Sequence, residues 1–303
     1  MTLSIYNQNF ERIEIELTNT CNLNCELCAR NIYYAKSDLK NHKTIDFNKL
    51  KDKLKSYKNL KYVTLTGEIS EPTLYPQLFE LITFLHKNKI EVSLFTNVET
   101  HDELYYKKLA LLFKNTNSKI FLTIFGSNEK MHQKYRGGSL KRVINIANII
   151  SKYSYDNLIM TWVLFEYNYK DYLENKDFLR KFQYNIFNTL PYAERYSIKG
   201  DIKLPNNLDK IYLSLDKNDL KGSCKSINNN FCYLTVDLKE YPCSLAKHND
   251  CSFNEIKQGL KPFCYECSNN NLRKLTENNI YTISESENEI SEKDLYIDTK
   301  TFK

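Results

Sequence analysis

Apolar and polar residues alternate along residues 12–18, RIEIELT, with the period of two that a half-buried strand requires. Similar alternation, or a short apolar run, recurs at 61–66, 90–96, 119–125, 158–165 and 184–189. Between these runs the apolar positions switch to a spacing of three and four. That spacing predicts helices over 47–57, 76–88, 101–115, 139–153 and 171–182, with Pro76 suited to a first turn. Repeated strand–helix alternation predicts an α/β fold: a parallel sheet with helices outside, curved into a partial (β/α)6 TIM-like barrel. Reactive groups in such folds sit on loops at the C-terminal ends of the strands.

The pattern weakens after about residue 195, so residues 1–195 are read as the barrel core and 196–222 as a connection. Residues 223–270 are rich in cysteine, and 271–303 form a polar tail that carries the acidic run SESENEISEKD. A chain of 303 residues with 42% hydrophobic content can build one large core plus a small appendage. The net charge of +6 is concentrated in the Lys-rich stretch 40–61, which reads as a solvated helix face or a surface for an acidic partner. No signal segment opens the chain and no apolar run reaches membrane-span length, so a soluble cytoplasmic protein without a membrane partner is expected.

Nine cysteines change the picture. Their odd number and their tight spacing, without a secretory signal, favour metal over disulfides. They also fall into two groups: three before residue 30, and six between 224 and 267. The first group is Cys21, Cys25 and Cys28, spaced C-x3-C-x2-C directly after the first predicted strand. Three thiolates can hold a four-iron, four-sulphur (4Fe–4S) cluster and leave its fourth iron open, whereas an electron-transfer cluster normally takes four cysteines. A structural zinc site wants four ligands, and no fourth Cys or His lies nearby in sequence. The five histidines, at 42, 86, 101, 132 and 248, form no spaced pair.

With CNLNCELC on a loop after the first strand, the chain resembles the radical S-adenosylmethionine (SAM) superfamily at Cys21, Cys25 and Cys28. Further segments follow in the order of that family. LTGEISEPTLYP at 65–76 resembles its Gly-Gly-Glu-Pro loop, with Gly67, Glu68, Ser70 and Glu71 as the implied SAM-binding positions and Ser70 where a second Gly is usual. SLFTNVE at 93–99 resembles the family's Thr-Asn-Gly ending of the third strand. Thr96 and Asn97 match, and Val98 replaces the Gly. In the segment 122–144, Thr123 stands for a Ser that reaches SAM and Arg136 for a recurring Arg, while Leu27 replaces an aromatic that packs on the adenine. The resemblance implies that SAM chelates the open iron and is cleaved reductively to a 5′-deoxyadenosyl radical that abstracts hydrogen. It also implies an electron donor of the flavodoxin or ferredoxin kind.

The second cysteine group resembles the SPASM or shorter Twitch extension of such enzymes. YLTVDLKEYPC at 233–243 reads as a β-hairpin that ends in a ligand, with Leu238 where that extension has a Gly. The resemblance implies one auxiliary 4Fe–4S cluster on Cys224, Cys243, Cys264 and Cys267, with Cys232 the rival of Cys224; a tetrahedral zinc on the same thiolates is the alternative. Cys251 is left over. The substrate class stays open between a peptide or protein and a small molecule. Only about 11 residues precede the first strand, so no leader-binding module is expected ahead of it. A different class of function is also open: a non-catalytic iron–sulphur or zinc protein that binds a partner, or nucleic acid through Lys40–Lys61, although nucleic acid is not among the expected partners.

Overall fold

A computed structural model describes residues 10–25, 28, 30–31, 41–188 and 230–257. The expected connection, the polar tail, and Cys224, Cys264, Cys267 and Leu27 lie outside these residues.

Each expected strand is present. β1 (Arg12–Ile15), β2 (Tyr62–Leu65), β3 (Glu91–Thr96), β4 (Lys119–Ile124), β5 (Leu158–Leu164) and β6 (Gln183–Asn188) pair in parallel, in sequence order. The hairpin expected at 233–243 is β7 (Phe231–Leu234) and β8 (Glu240–Tyr241). β7 extends the sheet, lying parallel to β1 and antiparallel to β8. The result is one eight-stranded, mostly parallel sheet in the order β6-β5-β4-β3-β2-β1-β7-β8.

The register sorts the two faces of the sheet. Cys232, Ile13, Val63 and Val92 align across β7, β1, β2 and β3, and all four are buried. The next aligned row is Tyr233, Glu14, Thr64 and Ser93, on the opposite face. The apolar face packs under the helices α1 (Phe47–Ser56), α2 (Leu78–Lys87), α3 (Glu103–Phe113) and α5 (Leu140–Ser154). A short α4 (Glu129–Gln133) precedes α5. Side chains cap four of these helices: Asp46 accepts from Lys49 N, Asp102 from Tyr105 N, Asn128 from Met131 N and Ser139 from Arg142 N.

Two helix boundaries differ from expectation. Pro76 precedes α2, which starts at Leu78; the proline in a first turn is Pro72, in a 3-10 turn at Pro72–Leu74. The helix expected at 171–182 is α6 (Glu166–Asn175) followed by a 3-10 stretch at Lys176–Lys181. Its first turns bury polar residues. The Asn168 side chain accepts from Phe165 N at 2.7 Å and donates to the Phe125 and Val163 carbonyls, so an apolar pattern cannot reveal where this helix starts.

The hairpin also uses up part of the lysine stripe. Lys43 pairs with Asp237 at 3.0 Å, and Lys53 pairs with Glu240, which also accepts from the Tyr57 hydroxyl at 2.7 Å. These lysines face the chain's own β7–β8 unit. Two short helices, α7 (Ser244–His248) and α8 (Phe253–Lys257), complete the described chain. Among the described residues, no helix is long and apolar enough to cross a membrane.

Candidate active site

The chain leaves β1 in extended form through Glu16 and Thr18. Glu16 N donates to Leu234 O of β7, and Thr18 bridges to Thr44. The three-cysteine loop follows at the C-terminal end of the sheet. Its thiols are free and half-buried. Cys28 N donates to Cys25 O at 3.2 Å, Asn31 N to Cys28 O at 2.8 Å, and the Asn31 side chain to Cys25 O at 2.8 Å, which folds the loop back on itself. Arg30 ties it to its surroundings, with one guanidinium nitrogen donating to the Asn19 carbonyl and, at 2.9 Å, to Ile69 O.

Burial raises the Cys21 thiol above its ordinary range and pushes Cys28 up to about 12, and the neighbouring cysteines act in the same direction. The Cys21 and Cys28 thiols therefore keep their protons at neutral pH until a metal displaces them. Among the described residues, no three His, Cys, Asp or Glu side chains converge as ligands of one ion. A 4Fe–4S cluster asks for a different arrangement, because it takes each thiolate on a separate iron. The donor set, three soft thiols on one loop, fits such a cluster.

The second loop is fastened by a carboxylate that the motif reading missed. Glu16, 1% exposed, accepts from Glu68 N at 3.1 Å, from the Ser70 hydroxyl and from the Tyr233 hydroxyl of β7. Gly67 turns the chain with φ +54°. A Cβ there would lie 2.3 Å from Ser70 Oγ and 2.7 Å from Ser70 O, so the turn admits only glycine. Ser70, at the position where a Gly was expected, is therefore buried in the turn and bonded to Glu16. Glu68 O lies 3.9 Å from Cys28 Sγ, so this loop touches the cysteine loop.

Glu71 and the end of β3 form one unit. Glu71 Oε1 accepts from Thr73 N, the Thr73 hydroxyl and, at 2.7 Å, the Thr96 hydroxyl; Oε2 accepts from Asn97 N at 2.7 Å. Both carboxylate oxygens are thus engaged within the protein. Asn97 Nδ2 donates to Asn22 Oδ1 at 2.8 Å and lies 3.9 Å from Cys21 Sγ, which joins this unit to the cysteine loop. Val98 has φ +58° although it is β-branched and fully buried. The position adopts a left-handed backbone where the resemblance has a glycine. Leu238, in the β7–β8 turn, does the same with φ +59°.

At the ends of β4 and β5 the site turns aromatic. Phe125, Val163, Phe165 and Tyr167 form a hydrophobic cluster separate from the main core, with Met131 and Tyr135 packed against it. Phe125 and Tyr135 stack at 4.3 Å, and Tyr135 and Phe165 at 5.1 Å. Arg136 donates to Thr123 O at 2.6 Å and lies over the Phe125 ring, so it holds β4 to the loop before α5. Nearby His132 is fully buried; burial and the Arg136 charge lower it to about 3, so it stays neutral.

The polar row beside β1 holds one more unforeseen group. Burial, and then the Glu68 and Glu16 charges, raise Glu14 to about 7, although Thr66 donates to it at 2.8 Å. Lys247 of α7 is the cation whose field opposes these effects. In the second cysteine group, Cys243 is half-buried and accepts from Ala246 N at 3.4 Å. Cys232, fully buried, belongs to the core on the helix side of β7, and Cys251 is also buried.

The family profile described as "Radical SAM superfamily" matches residues 15–179, more than half of the chain. No curated protein matches its sequence. Among solved structures, the crystal structure of Streptococcus suis SuiB bound to precursor peptide SuiA aligns with a TM-score of 0.59 and 16% identity, covering 88% of this chain and 64% of that one. SuiB bound to S-adenosylmethionine aligns at 0.55 and 16% identity, over 88% and 66%. The chain therefore spans just under two thirds of the length of these structures, and at such identity the likeness shows a shared fold.

Proposed function

Because this chain belongs to the radical SAM superfamily, we propose that it is an enzyme that cleaves SAM reductively at a 4Fe–4S cluster held by Cys21, Cys25 and Cys28, and abstracts hydrogen from a peptide or small-molecule substrate. Family membership carries the enzyme, the cluster and SAM. The observation that supports the assignment to these residues is the meeting of three loops at one end of the sheet: the cysteine loop, the Gly67–Glu71 loop and the end of β3 at Asn97. A cluster held by Cys21, Cys25 and Cys28 would supply the electron for reductive cleavage of SAM.

The chain's own residues position and shield. Glu16 and Glu71 accept from the hydroxyls and N–H groups of the two flanking loops and so fix those loops beside the cysteine loop. Gly67 makes the turn that sets this loop against the cysteine loop. The resemblance makes Thr96, Asn97, Thr123 and Arg136 further SAM-binding positions; Thr96 and Asn97 N are held by Glu71, and Arg136 donates to Thr123 O. The core is read as a partial (β/α)6 barrel over residues 1–195. The 223–270 segment is read as a SPASM- or Twitch-like unit with one auxiliary cluster on Cys224, Cys243, Cys264 and Cys267. Burial of Cys232 in the apolar core supports Cys224 over Cys232 in that set. The SuiB structure is bound to a precursor peptide, which supports the peptide class through likeness of fold.

The test is anaerobic reconstitution with iron and sulfide, reduction with dithionite and assay for 5′-deoxyadenosine. Product that disappears on Cys25→Ala supports the reading. No product from an intact cluster, under conditions where a control enzyme is active, overturns it.

A further inference from the structure

Tyr233 of β7 stands outside the residues 15–179 that the family profile matches, and the proposed reaction gives it no part. A continuous set of hydrogen bonds nevertheless ties it to the site. Its side chain is 1% exposed, and its hydroxyl donates to Glu16 Oε2. The same carboxylate oxygen accepts from Glu68 N at 3.1 Å, and Oε1 accepts from the Ser70 hydroxyl. Glu68 O in turn lies 3.9 Å from Cys28 Sγ. Three segments distant in sequence, β7, the extension of β1 and the Gly67–Glu71 loop, thus meet on one buried carboxylate.

Packing alone does not call for the Tyr233 bond. β7 is already joined to β1 by the parallel ladder, by Glu16 N donating to Leu234 O at 2.9 Å, and by Cys232 aligned with Ile13 on the apolar face. A phenylalanine would fill nearly the same volume. What the hydroxyl adds is a donor to a carboxylate shut off from water, and with it the direction in which that carboxylate holds Glu68 N and Ser70. Burial, and then the Glu16 and Glu68 charges, raise the Tyr233 phenol, so the proton stays on its oxygen.

We propose that Tyr233 is a positioning residue for SAM: by donating to Glu16 it fixes the Gly67–Glu71 loop, so that the β7–β8 unit sets the affinity of the core for SAM. The inference rests on the radical SAM reading of that loop.

The experiment uses full-length protein with reconstituted clusters and no reductant, so that SAM binds without being cleaved, and reads SAM affinity by anaerobic calorimetry. Tyr233→Phe, Glu16→Gln, the double variant and Tyr57→Phe are compared with wild type. Tyr57 is the control because its hydroxyl bonds to Glu240 of the same hairpin at 2.7 Å. Tyr233→Phe is expected to bind SAM about tenfold more weakly, the effect of losing one hydrogen bond to a charged group, with iron per chain unchanged. Tyr57→Phe is expected to bind as the wild type does. In the Glu16→Gln background, Tyr233→Phe is expected to change nothing further, because its effect runs through that carboxylate. Wild-type affinity in Tyr233→Phe overturns the proposal. So does an equal loss in Tyr57→Phe, or an undiminished effect of Tyr233→Phe in the Glu16→Gln background. A Tyr233→Phe chain that fails to fold or to take up iron also overturns it, because the hydroxyl would then serve the fold. If Glu16→Gln binds too weakly to titrate, the two single tyrosine variants decide. Failure of the underlying reading is distinguishable: the wild type itself would then bind no SAM.

Discussion

The end of the sheet where the loops meet has two unlike halves. Over β1, β2 and β3 it is built by carboxylates: Glu16 and Glu71 gather hydroxyls and backbone N–H groups from the loops beside them. Over β4 and β5 it is built by rings, with Phe125, Tyr135, Phe165 and Tyr167 stacked against one another. Carboxylates fix where backbone polar groups point, which suits an amino-acid moiety such as the methionyl part of SAM. Rings exclude water and set distance, which suits an apolar wall beside a reactive radical.

The comparison breaks most visibly at Phe165, which is 1% exposed at the centre of the ring set. Phe165→Ala is expected to cost about 4 kcal/mol in a urea titration, through lost burial and a residual cavity. SAM affinity should fall much less, because the carboxylate half is left intact. An equal loss of both would deny that the halves are separable.

Glu14 gives the comparison a pH dependence. Its carboxyl titrates near 4.5 in the unfolded chain and is raised to about 7 in the folded one. Between these values the native state holds a proton that the unfolded state has lost, so stability falls as pH rises through the window. Glu14→Gln should flatten the fall between about pH 4.5 and 7 in thermal melts. A wild-type profile already flat there would refute the raised carboxyl.

Glu71→Gln comes next. The amide has only one oxygen for Thr73, Thr96 and Asn97, and it sets an N–H against one of their donors. A loss of about 2 kcal/mol is expected, together with weaker SAM binding measured by calorimetry. Unchanged SAM affinity would detach the carboxylate scaffold from the ligand.

The smallest effect concerns the backbone at Val98, and a pair of variants isolates it. Val98→Gly and Val98→Ala both remove the buried branches, but only glycine adopts φ +58° without strain. The Gly variant should be more stable than the Ala variant by about 1 kcal/mol. The reverse order would mean that the turn relaxes.

These effects also mark what could be read from the chain before folding. The six parallel strands were legible because each carries alternation or a compact apolar run, and the cysteine loop because its spacing is tight. The start of α6 was not, since Asn168 and Asp171 are buried polar residues that break an apolar stripe. Glu14 and Glu16 occupy polar positions of a regular alternation, which look like solvent positions until a second loop folds over them. The ring set was hidden because its members come from the ends of two strands and from the loop and helix that follow them. Val98 and Leu238 show a subtler case: both adopt a left-handed backbone at positions where the resemblance has a glycine.

The central claim, that the three thiols of the first loop hold a cluster of their own, is tested most directly by counting iron. Wild-type protein and a Cys21→Ala, Cys25→Ala, Cys28→Ala variant are reconstituted side by side under anaerobic conditions and assayed for iron per chain. The account predicts that the variant loses about four irons while the C-terminal site keeps its metal. Equal iron in the two proteins would contradict it.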